Sequence, residues 1–173
     1  MADLSAALVS NRAAVDEMLA AIDRSAANWT TPRAAGKWSP SQVVEHVARS
    51  LEESANVIMG APSKFPNFPR FIRPLVRMMF FDRVVKTGAF PKARTSKAMN
   101  PASGAATAPA GRARLEEAAA RFDGACRTAA ERGPTFDNGL FGVISIADYV
   151  RFMDLHTRHH TRQIPVTTER VMA

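Results

Sequence analysis

Three of the four histidines of this 173-residue chain, His156, His159 and His160, fall within five residues of one another. Imidazole moves protons near neutrality and is a common metal ligand, so such a cluster raises the question of whether it holds a cation. Ile146, Tyr149, Met153, His156, His160 and Gln163 recur at three- and four-residue steps, which stacks them on one face of a helix. A histidine pair at i and i+4 there stands about 6 Å apart along the axis, and both rings can reach one ion at roughly 2.0–2.1 Å. Two ligands hold a metal poorly, so the idea turns on the remaining histidine, His46. The plain alternative is a solvated helix C-terminus, where imidazolium is favoured by the dipole.

The elements that carry these residues have clear ends. Ser145 is a good N-cap with Asp148 at N3, Ile144 and Tyr149 are placed as a hydrophobic staple, and Pro165 stops the helix. The helix bearing His46 opens with Ser39 as N-cap, Pro40 at N1, Gln42 completing a capping box and Trp38 stapling onto Val43. Along one edge of it run Val43, His46, Val47, Ser50, Ser54 and Val57, which puts His46 on the inward side near the second turn.

Two further helices complete the set. The first spans about Asp3 to Ala27, with Leu4, Leu8, Val15, Met18 and Ile22 on one face and Asn11 interrupting it. The third spans about Arg112 to Arg132 and stops at Gly133-Pro134. Pro32 and Gly36 mark a loop between the first two helices, flanked by Trp29 and Trp38, both expected to plug the core. From about residue 60 to 111 repeated prolines forbid a long helix. Within that crossover Pro74 to Val85 reads as a short extra helix, and Asn100 to Pro109 as mobile linker. Phe136 to Val143 reads as a loop, with no hairpin anywhere in the chain.

These elements predict an all-α fold, a four-helix bundle with one long crossover. His46 lies about 9 Å from the start of its helix, and His156 and His160 roughly 6–12 Å before the end of theirs, so the heights match when the two helices run antiparallel. Up-down-down-up topology provides that arrangement.

Composition sets the outer bounds. A 46% hydrophobic chain of this length suffices for one domain, expected over residues 1–173. No apolar run is long enough to span a bilayer, and the N-terminus lacks the pattern of a signal peptide, so the cytoplasm is the expected location. Cys126 is alone and expected as a packing residue. The charge of +7 favours anionic partners. Much of it sits in the crossover, where Lys64, Arg70, Arg73, Arg77, Arg83, Lys86, Lys92, Arg94 and Lys97 face the single acid Asp82. Nucleic acid is not expected, because no recognition motif accompanies the charge. The apolar and basic run Phe65 to Phe81 is expected to pack on its own bundle; an anionic membrane surface, the less favoured partner, and a homodimer are the alternatives.

The segment Trp38-Ser-Pro-Ser-Gln-Val-Val-Glu-His46-Val, followed by Leu140-Phe-Gly-Val-Ile-Ser before a helix ending His156-x-x-His159-His160-x-x-Gln163, resembles the DinB-like (DinB/YfiT-like) family of metalloenzymes. The resemblance covers nearly the whole chain. It implies an up-down-down-up bundle whose metal, zinc or nickel, is held by His46, His156 and His160; by spacing alone His159, at i+3 from His156, is the alternative to His160. Relatives include enzymes that use low-molecular-weight thiols, transferring or isomerising at a metal-activated sulfur, and the basic insertion with the H-x-x-H-H motif places this chain nearer members with no assigned reaction.

Three protein nitrogens leave coordination positions open, as in catalytic zinc sites. The expected chemistry is therefore activation of a water or small thiol for transfer or hydrolysis on a small-molecule substrate. Glu53, two turns after His46, is the candidate proton acceptor or further ligand, and Gln163 the residue that orients His160. Glu45 is expected to face solvent. Arg73, Arg77 and Arg83 are the cations offered to a carboxylate substrate. The competing reading is a non-catalytic, metal-braced bundle that binds partners through its crossover.

Overall fold

A computed structural model describes residues 3–91 and 95–165, so Lys92 and Arg94 of the basic crossover lie outside the described residues. The chain is mostly helical with one small two-stranded sheet. Helix α1 (Leu4–Arg24) is capped by Asp3, and buries Leu8, Val15, Met18 and Ile22 together with the polar interruption Asn11. Helix α2 (Pro40–Met59) begins with the capping box formed by Ser39 and Gln42, and ends at Gly60, whose φ of 72° suits a residue without a Cβ. The crossover carries α3 (Arg73–Val76), a π-helical turn (Arg77–Asp82) and α4 (Arg83–Thr87).

Helix α5 (Ala108–Ala130) starts four residues before the expected Arg112. Thr107 caps it and Pro109 lies in its first turn, where a missing N–H has no helical partner to lose; the proline opens the helix. The expected loop 136–143 is largely a hairpin of β1 (Thr135–Asn138) and β2 (Gly142–Ser145), paired antiparallel with Phe136 opposite Ile144. Asn138 builds its turn by accepting from the Leu140 and Phe141 amides through Oδ1 at 2.9 and 3.3 Å. Gly142 sits at φ 74°. Helix α6 (Ile146–Thr161) follows directly, with Ser145 as N-cap accepting from the Asp148 amide.

The four long helices share one core built on residues such as Met18, Ile22, Leu51, Leu115, Phe122 and Met153. Side-chain bonds give the sense of each neighbouring pair. Ser10 meets Asp154 at 2.8 Å and Glu17 meets Arg158 further along, so α1 and α6 run the same way. Glu52 takes Arg114 in two bonds of 2.6 Å and Asn56 takes Arg121 at 2.7 Å, so α2 and α5 also run the same way. His46 faces His160 while Ser54 bonds Tyr149 at 2.9 Å, so α2 and α6 run in opposite senses. Glu45 does not face solvent as expected: it is half-buried, paired with Arg49 at 2.6 Å and Arg114 at 3.5 Å, because α5 packs over that face of α2.

The expected mobile linker 100–109 is instead tied to the start of α2. The Ala105 carbonyl accepts from Trp29 Nε1 and Ser41 Oγ, each at 2.7 Å, and Gln42 donates to the Pro101 and Ala102 carbonyls at 3.3 Å. A Cβ at Gly104 would run into the Ser41 carbonyl, so glycine permits the close approach.

Candidate metal centre

The antiparallel pairing of α2 and α6 brings the three histidines expected to share a metal to one height. Ring centroids lie 4.6 Å apart for His46 and His160, 5.3 Å for His46 and His156, and 4.5 Å for His156 and His160. One nitrogen from each falls within 4.8 Å of the other two, which allows a single divalent ion to reach all three.

Hydrogen bonding fixes the tautomers of two rings. His46 Nδ1 is 2.9 Å from the Met99 carbonyl, which can only accept, so Nδ1 carries the proton and Nε2 keeps its lone pair. His160 Nδ1 lies 3.1 Å from Gln163 Oε1, which orients that ring in the same way, and Gln163 Nε2 donates to His159 Nε2 at 3.2 Å. Outer partners of this kind are what metal-ligating imidazoles need. The third ring supplies the fit test: His156 Nδ1 is buried with no hydrogen-bond partner, an uncompensated polar atom on a ring that stands between two others already oriented. Three imidazole nitrogens suit a divalent transition-metal ion.

Electrostatics keep the rings neutral. Burial, then the proximity of His160 and His46, holds His156 well below the ordinary imidazole value. Burial, then His46, brings His160 down to about 3, and burial chiefly lowers His46 despite the Met99 bond. A neutral imidazole is the form that binds metal.

The histidines stand in the wall of a cavity of about 770 Å³, which also has Trp38, Phe80, Phe90, Phe141 and Phe152 in its lining. Trp38, expected as a core plug, is half-buried and instead faces the site, its ring 4.9 Å from His46 and stacked at 6.2 Å on His160. Trp29 is buried as expected. Phe90 packs against His156 at 5.7 Å and His159 at 5.1 Å.

Other candidates fall elsewhere. Glu53 does not line the cavity; its carboxylate accepts from the Lys64 amide at 2.8 Å and from Asn56 at 3.4 Å. Burial would raise its pKa, but these bonds and one from Ser63 outweigh that and lower it, so the group ties the crossover to α2 as a carboxylate. Arg73 is held by the Phe68 carbonyl and Asn67, each at 2.8 Å, and by Asp137, and Arg77 by the Val143 carbonyl and Asp82. Both brace the crossover and lie away from the histidines, and Arg83 is exposed outside the cavity lining. Among the described residues the arginine and lysine that line the cavity are Arg33 and Lys37, in the loop before α2, which sequence reasoning passed over as a simple connection. Cys126 is buried in the core, and burial pushes its thiol up to about 12, far from a nucleophile's value. Met99 left no trace in the sequence, because it acts through a backbone carbonyl that every residue possesses.

Comparison with known proteins adds one match. No curated protein and no solved structure matches the chain. A family model described as the DinB superfamily matches residues 7–164, a span that contains all four histidines and every long helix but the first turn of α1, and the chain belongs to that superfamily.

Proposed function

We propose that this protein is a metal-dependent enzyme in which His46, His156 and His160 hold a divalent ion, zinc or nickel, for transfer or hydrolysis on a small substrate. The observation that carries the reading is the meeting of three neutral imidazoles, one with an orphaned Nδ1, at the wall of a large cavity. Bound there, the ion would supply Lewis acidity that lowers the pKa of a water or a low-molecular-weight thiol. The chain's own part is orientation and exclusion of water. Met99 and Gln163 set the rings, while Trp38 and Phe90 cover them on the cavity side. Tyr149 holds its proton, since burial raises it to about 12 against the opposing pull of its bond with Ser54. The senses of the helix pairs support a single up-down-down-up four-helix domain as the frame. Metal analysis of the protein purified without a histidine tag tests the reading: about one equivalent of zinc or nickel is expected, falling at least tenfold in His156→Ala, in line with loss of a ligand. An absence of bound ion, or an ion content unchanged in that variant, rejects it.

A second reading is favoured by one specific feature. Phe71, Leu75, Met78 and Met79 are exposed on one side of the crossover helices, beside Arg70, Arg83 and Lys86. A metal-braced bundle that docks through this face on an anionic membrane, or on a second copy of the chain, would use it. Sedimentation with anionic vesicles at low salt and sedimentation velocity of the free protein decide: a monomer that leaves vesicles unbound removes this reading.

A further inference from the structure

The lining of the cavity says more about the substrate than the histidines do. Its volume of about 770 Å³ lies within the range of roughly 300–1,000 Å³ that takes drug-sized ligands. One wall is a continuous aromatic surface: Phe80 meets Phe90 at 6.1 Å, Phe141 at 6.2 Å and Phe152 at 5.9 Å, and Phe90 meets Phe152 at 5.4 Å. That wall runs up to the metal histidines through the contact of Phe90 with His156 at 5.7 Å. Hydroxyls or amides laid against it would lose water without gaining a partner, which disfavours sugars and wholly polar substrates.

The rim has one sign of charge. Arg33 and Lys37 are exposed and line the opening, and among the described residues no aspartate or glutamate does. Lys37 precedes Trp38, whose ring lies 4.9 Å from His46, so the backbone that carries this cation passes the metal side of the cavity. A cationic substrate would meet like charge and no carboxylate. An anion would be steered inward and held.

We propose that the cavity selects substrates with an apolar, preferentially aromatic, body bearing an anionic group, the body lying along Phe80, Phe90, Phe141 and Phe152 and the anion meeting Arg33 and Lys37. The inference rests on the metal-enzyme reading for where reaction occurs, but the selection itself comes from this chain's side chains and operates without an ion.

Isothermal titration of the full chain with phenylpropanoate, its neutral amide and propanoate, in chelator-treated and in zinc-supplemented protein, tests it. In the chelator-treated protein phenylpropanoate should bind roughly three- to tenfold more tightly than the amide, the range open to partly exposed cations. Propanoate, which lacks the ring, should not bind at the same concentrations. The double variant Arg33→Gln/Lys37→Gln should lose the preference for the acid and keep its affinity for the amide. Phe90→Ala, with its fold checked by thermal unfolding, should weaken the acid and the amide alike. Equal binding of acid and amide without metal overturns the proposal. So does a preference that appears only with zinc and survives the double variant, because the ion and not the rim would then select the charge. Propanoate binding as tightly as phenylpropanoate would overturn the role of the aromatic wall. A protein that takes up no zinc but shows the charge preference would sink the metal reading and leave this one standing.

Discussion

His156 Nδ1 carries no partner, and its two neighbours His46 and His160 are packed against it as neutral rings. The arrangement has a cost that pH reveals in the metal-free protein. Folded, His160 titrates at about 3; unfolded, it returns to about 6.5. The unfolded chain therefore binds more protons between these values, so the contribution to stability is full above about pH 6.5 and is lost as pH falls toward 3. His156 and His46, also lowered, act in the same sense. Urea midpoints of the chelator-treated protein should fall steadily across that window, and less steeply in His160→Gln; a flat profile would contradict the neutral cluster. The residues behind this effect were legible because a helical period puts His156 and His160 on one face and a capping box fixes the height of His46. Glu53 misled for the same reason in reverse: a shared face says where a side chain starts, and the Lys64 amide decided where it ended.

At the scale of elements, the helices were legible and the connections were not. Ser39, Gln42 and Ser145 announce helix starts through local bonds that depend on few neighbours. The hairpin of β1 and β2 was missed because its strands have four residues each, too few for alternation to register. The pair Asn138-Gly139 was the signal that could have found it. The linker 100–109 looked mobile from its small residues, whereas its carbonyls serve as acceptors for Trp29, Ser41 and Gln42. Two glycine substitutions separate these cases. Gly104→Ala forces a Cβ onto the Ser41 carbonyl and should cost roughly 1–3 kcal/mol. Gly124→Ala, in open space on α5, should instead stabilise by up to about 1 kcal/mol. Thermal unfolding of both variants reads the difference, and equal effects would mean that the linker is not seated as described.

Across the whole molecule, the sequence pointed to helices that bring distant histidines together, and the DinB superfamily match agrees with that pattern over residues 7–164. It did not reveal the cavity, because Phe80, Phe90, Phe141 and Phe152 come from three separate regions that only packing assembles. No helix among the described residues is long and apolar enough to cross a membrane. The crossover is fastened at both ends, by the Lys64 amide on Glu53 and by the Met99 carbonyl on His46. Between those rivets the chain supplies Val76, Phe80 and Phe90 to the cavity without supplying any of the three histidines. The insert also buries Phe81 and Val84 in the shared core, so a descendant of this scaffold that kept those two anchors could reshape the rest, acquiring a new clientele while inheriting the same reactive heart.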